Sequence, residues 1–325
     1  MFSNRIFTCV VIILATLFIG CQTGGQTMKD GTPVGPTGKI KYEVPRGIDL
    51  TDIIDGAAVN APKEEIYGTL TLPDDIAGKV PAVVIMHASG GVFNWREKEM
   101  ARLLNKNGIA AFIPYSFEAR GFSNTRSTQG TGTTFGMRVA DAFGALKLLS
   151  MHPAIDPNRI GVMGYSSGGF ASLLSIDEKV RKNMVSGDLK FAAHVNVYAA
   201  SILVFKDNQP TDAPMLFLMG EKDDACPQEK VLEIADKIRT AGGDVTIQIY
   251  PGAHHSFDSS SSVKSVPMDN DGNCQFEILN DGLLVDSATG ERFPERELYA
   301  SNNVHIKQCK TGSISSGRND LAAKR

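Results

Sequence analysis

Five consecutive residues, Gly164-Tyr165-Ser166-Ser167-Gly168, constrain the fold of this chain more than any other stretch. They follow Arg159-Ile160-Gly161-Val162-Met163, which reads as a buried strand, and precede Gly169-Phe170-Ala171-Ser172-Leu173-Leu174, which reads as a helix. A serine between glycines at a strand-to-helix turn has the form of a nucleophile elbow. The turn is sharp, so a side chain at either glycine would collide with neighbouring elements. Its strain holds the Ser166 hydroxyl above the sheet edge, and the helix behind it aims backbone N–H groups at the same place. The pentapeptide also arises by chance in glycine-rich turns, so its meaning depends on residues further along the chain.

An acid and then a histidine are needed, each at the end of a strand. Pro214-Met215-Leu216-Phe217-Leu218-Met219 is an uninterrupted apolar run, which suits a parallel strand covered on both faces. It ends in Gly220-Glu221-Lys222-Asp223-Asp224-Ala225-Cys226-Pro227, a loop that presents a carboxylate before a helix. The acid is assigned to Asp223, with Asp224 as the alternative or as a cap for the next helix. Glu221 and Lys222 read as solvated loop charges. Val245-Thr246-Ile247-Gln248-Ile249-Tyr250 alternates and is β-branched, as a last core strand would be. It runs into Pro251-Gly252-Ala253-His254-His255-Ser256-Phe257, where the base is assigned to His255 and His254 is the rival.

These residue types fit one chemistry. A serine hydroxyl is a weak nucleophile until a base takes its proton. Neutral imidazole can do so near physiological pH, and a carboxylate on the far ring nitrogen fixes the tautomer and stabilises the imidazolium. Two backbone donors complete the set: the N–H of Ser167, and the N–H of Ser89 in the Ala88-Ser89-Gly90-Gly91 loop that follows the apolar run Pro81–His87. His87 reads as a residue that shapes this loop.

Between these points strands and helices alternate. Expected strands are Glu65–Leu72 (antiparallel), Pro81–His87, Ile109–Pro114, Arg159–Tyr165, Phe191–Tyr198, Met215–Met219 and Val245–Tyr250. Expected helices are Lys98–Lys106, Phe135–Ser150, Gly168–Ile176 and Gln228–Ala241. In the helix Phe135–Ser150, the stripe Val139, Ala142, Phe143, Leu146 and Leu149 reads as core. The pattern predicts an α/β fold: a mostly parallel sheet covered by helices on both faces. Ligands bind at the carboxyl ends of such strands, where every nominated residue falls. Lys179-Val180-Arg181-Lys182 reads as a solvated charge run, and Glu118–Gly132 as a lid or a plain loop. A net charge of −3 gives no electrostatic case for nucleic acid. No metal spacing is present, and no cofactor is implied.

At this point the chain resembles the α/β-hydrolase superfamily, and within it the dienelactone hydrolases and related esterases. The resemblance is carried by Val83-Val84-Ile85-Met86-His87-Ala88-Ser89-Gly90-Gly91, Pro114-Tyr115-Ser116-Phe117-Glu118-Ala119-Arg120-Gly121, Arg138-Val139-Ala140-Asp141-Ala142, the elbow, and the two loops that hold Asp223 and His255. It implies hydrolysis of a small-molecule ester through an acyl-enzyme. Peptidase or acyl-transfer chemistry, or a catalytically silent lipidated binding protein, are the alternatives. Two positions depart from the family pattern. The nucleophile is Ser166 where dienelactone hydrolases carry cysteine, and the loop reads His87-Ala88 where His-Gly is usual. By the same resemblance Arg120 matches a substrate-carboxylate ligand; the competing reading is an ion pair with Glu118 or Asp141.

The N-terminus reads as a targeting segment. Arg5 precedes the apolar stretch Cys9 to Ile19, and Gly20-Cys21 resembles a bacterial lipoprotein signal in which Cys21 becomes the lipidated first residue. Gln22 after the cysteine points by analogy to the outer membrane, facing the periplasm. The expected organisation is a signal peptide over 1–20, a flexible tether over 21–45, a catalytic domain over 46–260 and a C-terminal extension over 261–325. Export permits disulfides, and Cys274 and Cys309 are expected to pair within the extension. Cys226 reads as a buried small hydrophobe.

Overall fold

The computed structural model describes residues 35–318, except 75, 123–132, 200, 208, 299–303 and 310. The expected signal peptide, the lipidation site at Cys21 and most of the Glu118–Gly132 loop lie outside the described residues. Among the described residues, no helix is long and apolar enough to cross a membrane.

In chain order the strands and helices are β1 (Gly38–Pro45), α1 (Leu50–Ile54), β2 (Lys63–Thr71), β3 (Val80–Met86), α2 (Glu99–Lys106), β4 (Ala110–Pro114), α3 (Phe135–Ser150), β5 (Ile155–Tyr165), α4 (Gly169–Leu174) and α5 (Glu178–Met184). There follow β6 (His194–Val197), β7 (Leu203–Phe205), β8 (Met215–Gly220), α6 (Gln228–Thr240), β9 (Val245–Tyr250), β10 (Lys264–Asn270), β11 (Phe276–Ile278), β12 (Leu284–Asp286), β13 (Arg292–Phe293), α7 (Val304–Cys309) and β14 (Thr311–Ser316). The main sheet has eight strands in the order β1-β2-β4-β3-β5-β6-β8-β9. Its first three strands pair antiparallel, and from β4 to β9 every pairing is parallel.

The period-two rule explains how both faces are covered. On β3, Ala82, Val84 and Met86 join a cluster with α3 and α4, whereas Val83 and Ile85 join another with Met100, Ala101 and Leu104 of α2. On β8, Leu216 and Leu218 share the α2 face, and Met215, Phe217 and Met219 pack on Val231, Ile234, Ala235 and Ile238 of α6. Each such leucine or phenylalanine contributes about 1.5–3 kcal/mol on burial.

Three expectations need correction. The segment 38–45 is not tether: it is β1, with Tyr42 and Val44 buried between exposed Lys41 and Glu43, and it pairs with β2 along its whole length. The division at residue 260 does not stand either. β11 pairs parallel with β7, and Cys274, Phe276, Ile278, Leu284, Phe293 and Leu298 belong to the same hydrophobic cluster as β3 and α3. These strands are two or three residues long, too short for periodicity to reveal them. Finally, Lys179–Lys182 lies in α5, capped by the Asp177 carboxylate, with Val180 and Arg181 buried and Arg181 paired to Glu178 at 2.7 Å.

Glu295 shows how deeply the C-terminal segment is built in. Its side chain is buried and accepts backbone N–H groups of Leu50 and Gly136, each at 3.0 Å, and of Phe135. One carboxyl group thus meets orphan N–H groups at the N-termini of both α1 and α3, and burial outweighs these bonds and pushes its pKa up to about 8. Arg296 beside it pairs with Asp49 at 2.6 Å.

Candidate active site

The elbow forms where β5 ends. Ser166 has φ of +49°, and the chain turns through one 3-10 turn, Ser166–Gly168, into α4. Both glycines are required by close approach. A Cβ at Gly164 would stand 2.1 Å from the Gly168 carbonyl oxygen, and one at Gly168 would stand 2.3 Å from that of Met86. Among the described residues, the non-glycine positions with positive φ are Ser166, Tyr198 and Ser256. Ser256 adjoins His255, and the Tyr198 ring packs edge-on against His255 at 5.0 Å. Among the described residues, these strained non-glycine positions therefore gather around one place, as happens where geometry is held for function.

At that place the structure brings together Ser166, His255 and Asp223. His255 Nε2 lies 3.0 Å from Ser166 Oγ. Its Nδ1 lies 3.0 and 3.1 Å from the two oxygens of Asp223. Asp223 Oδ1 also accepts the backbone N–H groups of Ala225 and Cys226, at 3.0 and 2.9 Å. The rivals are placed elsewhere: Asp224 is exposed and accepts the backbone N–H of Ser315, and His255 rather than His254 bridges the serine and the acid. Burial opposes the charged form of His255, but the Asp223 carboxylate more than offsets it, and the imidazole pKa is raised above its ordinary 6.5. Only the neutral ring can take a proton from serine. Activity that depends on His255 should therefore rise with pH through a midpoint above 6.5, read as the acid limb of a kcat/KM profile. A profile with no acid limb in the range of an imidazole would count against His255 as the base.

Ser89 and Ser167 sit on loops that touch. Gly168 packs against the carbonyls of Met86 and His87 at the end of β3, and the loop beyond closes through Gly91 N–H to the Ala88 carbonyl at 3.1 Å. Arg138, which the sequence marks only through the family resemblance, ties the two loops. It donates to Ser167 Oγ at 2.8 Å and to the His87 carbonyl. Burial lowers its pKa to about 10, which leaves it charged at neutral pH. His87 is buried, bonded through Nδ1 to the Ala88 carbonyl at 2.8 Å and packed edge-on against Phe117. Burial and then Arg138 hold its pKa well below 6.5, so it is a neutral shaping residue.

A second buried group has no signal in the sequence. Arg96 pairs with Glu97 at 2.8 Å and lies over the Tyr165 ring. Tyr198 donates to Asp258 at 2.8 Å, and burial pushes the Asp258 carboxyl up to about 6. Charges of this kind are invisible to hydrophobic periodicity, because an ion pair inside a core looks like a loop in one dimension.

Arg120 is engaged by partners other than the triad residues. Its side chain is 5% exposed, forks onto both oxygens of Asp141 at 2.8 Å, and donates to Glu64 at 2.5 Å and to the Ser116 carbonyl at 2.8 Å. This is the ion-pair alternative, with Glu64 as the unforeseen partner. Cys226 is buried and its Sγ donates to the Tyr198 carbonyl at 3.2 Å. Ligand-type atoms of Asp223, Cys226 and His255 lie within 4.8 Å of one another. Burial keeps Cys226 a thiol, and the other two are bonded to each other, so the set fits a proton relay better than a cation. Cys274 and Cys309 are joined by a disulfide.

Sheet, elbow and side-chain order together define an α/β hydrolase. The chain belongs to the dienelactone hydrolase family, whose family model matches residues 66–273. A protein of Bradyrhizobium sp. described as "Probable 2-oxo-3-(5-oxofuran-2-ylidene)propanoate lactonase" is 27% identical over 199 residues, covering 56% of this chain and 75% of the relative. Dipeptidyl-peptidase 5 of Porphyromonas endodontalis is 24% identical over 216 residues, covering 56% of this chain but 31% of that protein. Among solved structures, the acetyl ester-xyloside bifunctional hydrolase of Caldicellulosiruptor lactoaceticus is similar with a TM-score of 0.48 and 20% identity, over 70% of this chain and 90% of that one.

Proposed function

We propose that this protein is a serine hydrolase that cleaves small carboxylic esters through an acyl-enzyme. One observation carries the reading: an unbroken hydrogen-bonded line runs from Ser166 Oγ through both nitrogens of His255 to Asp223, with the serine on a strained elbow. His255 takes the Ser166 proton as Oγ bonds to the ester carbonyl carbon, and Asp223 stabilises the imidazolium. The Ser167 and Ser89 N–H groups receive the oxyanion. Collapse breaks the bond to the alkoxide, which leaves with the proton from His255. Water, deprotonated by the same ring, then releases the acid and restores Ser166. Family membership and the lactonase relative support an ester over an amide. Serine in place of the family's cysteine leaves open-chain esters as the favoured substrates.

A fluorophosphonate probe should label the native protein on the peptide that contains Ser166 and leave heat-denatured protein unlabelled. Native protein that stays unlabelled would remove the reading. Export and acylation at Cys21 belong to the same proposal. They are tested by palmitate incorporation in a bacterial host, expected in wild type and absent in Cys21→Ser.

A further inference from the structure

β14 has two edges. One pairs antiparallel with β10. The other edge, with Gly317 and Arg318 just beyond the strand, carries backbone N–H groups that need acceptors, and these find them on the two loops that hold the proposed acid and base. Ser315 N–H donates to both carboxylate oxygens of Asp224, at 2.9 and 3.0 Å. Gly317 N–H donates to the carbonyl of His255 itself at 2.9 Å, and Arg318 N–H to that of Ser261 at 2.7 Å. Parallel bridges join His255 with Ser316 and Ser262 with Arg318. From β10, Asn270 Nδ2 donates both to the Asp224 carbonyl at 3.1 Å and to the Ser313 carbonyl at 3.2 Å. The approach is backbone on backbone: a Cβ at Gly272 would stand 2.6 Å from the Asp224 carbonyl oxygen, and one at Gly317 would stand 2.4 Å from that of Ser262. The disulfide lies at one end of this ribbon, with Cys274 just after β10 and Cys309 just before β14.

We propose that the β10–β14 ribbon is a positioning element that holds the acid loop and the base loop in register, and that the Cys274–Cys309 disulfide pins it there. The proposal rests on the Ser166–His255–Asp223 reading above. Its physical basis is tolerance. Asp223 and His255 stand in the separate loops that follow β8 and β9; these loops meet directly before the two side chains, through Lys222 N–H to the Ala253 carbonyl at 2.8 Å, and the ribbon adds a second set of bonds just beyond them. The ribbon bonds to the residue after the acid and to the carbonyl of the base. A displacement of about 1 Å in such a constellation costs on the order of 100-fold in rate. The effect belongs in kcat, because the ribbon bonds to the relay and not to Ser89 or Ser167.

Ser315→Pro deletes the N–H that reaches Asp224. That N–H points away from β10, so proline leaves the ribbon's own pairing intact. Asp224→Ala removes the acceptor instead and leaves β14 untouched. With p-nitrophenyl acetate, each is expected to lower kcat by about 10- to 100-fold with KM unchanged. Ser315→Ala keeps the N–H and is expected to restore the wild-type rate. The Cys274→Ser/Cys309→Ser double variant should shift kcat in the same direction as Ser315→Pro. Circular dichroism and a thermal melt identify folded variants, and if Ser315→Pro does not fold, Asp224→Ala decides. Folded Asp224→Ala with wild-type kcat, or a loss confined to KM, would overturn the proposal. Failure of the hydrolase reading is separately visible, as wild-type protein that turns over no ester.

Discussion

Substituting Ser166 by alanine is expected to lower kcat for a p-nitrophenyl ester by roughly a million-fold, the size seen when the serine of such a relay is removed, with KM little changed. At 1.36 kcal/mol for each tenfold, that is about 8 kcal/mol of transition-state stabilisation. The size follows from cooperation. In the proposed relay His255 acts on Ser166 in the acylation step and Asp223 acts only through His255, so removing one member disables the others. Two corollaries sharpen the test. His255→Ala should cost about as much as Ser166→Ala, and the double variant should be no worse than either, because the losses do not add. Asp223→Asn should cost about 10⁴-fold, since the ring is then held in the wrong tautomer. Steady-state kinetics on the set of variants reads all of this. Additive losses, or a Ser166→Ala protein that still turns over at the wild-type rate, would dismantle the relay.

Gly164→Ala should destabilise the fold by more than about 4 kcal/mol, which for a chain of this size lowers Tm by roughly 10 °C or more. The added methyl carbon would meet Gly168 O at 2.1 Å, Gly168 C at 2.4 Å and Gly169 N at 2.6 Å. All three are backbone atoms of the elbow, so no flexible side chain can move aside. Relief requires either opening the turn that lifts Ser166 or pushing α4 off the sheet. Gly108→Ala is the informative comparison. Its φ is +76° and its Cβ would meet nothing within 4 Å, so it carries only the cost of a left-handed backbone, about 1 kcal/mol. Equal melting temperatures for the two variants would show that steric closure of the elbow is not what glycine supplies at position 164.

How much of this is legible in one dimension differs from element to element. Helix Phe135–Ser150 and strand Val245–Tyr250 are readable to the residue, because a long periodic stripe and a clean alternation have few other interpretations. The chain order serine, acid, histidine marks in the sequence alone the three residues that the structure brings together, since each of the three follows its own strand. β1 escapes notice because its alternation sits behind a Gly- and Thr-rich stretch that reads as linker. The segments after residue 260 escape it because Phe276-Glu277-Ile278 and Leu284-Val285-Asp286 are too short to show a period, and their partner β7 is some 70 residues earlier in the chain. Arg138 and the Arg96–Glu97 pair stay hidden because a buried charge announces itself only through its partners.

Glu295 carries a consequence for how the molecule is made. It caps one helix that begins 245 residues before it and touches another at a separation of 160 residues. A nascent chain therefore has only the local caps, Asp49 on α1 and Thr134 on α3, until Glu295 has been synthesised. Contacts of such sequence separation form late and slowly. Until then the partly built sheet has the character of a client for chaperones rather than of a finished enzyme.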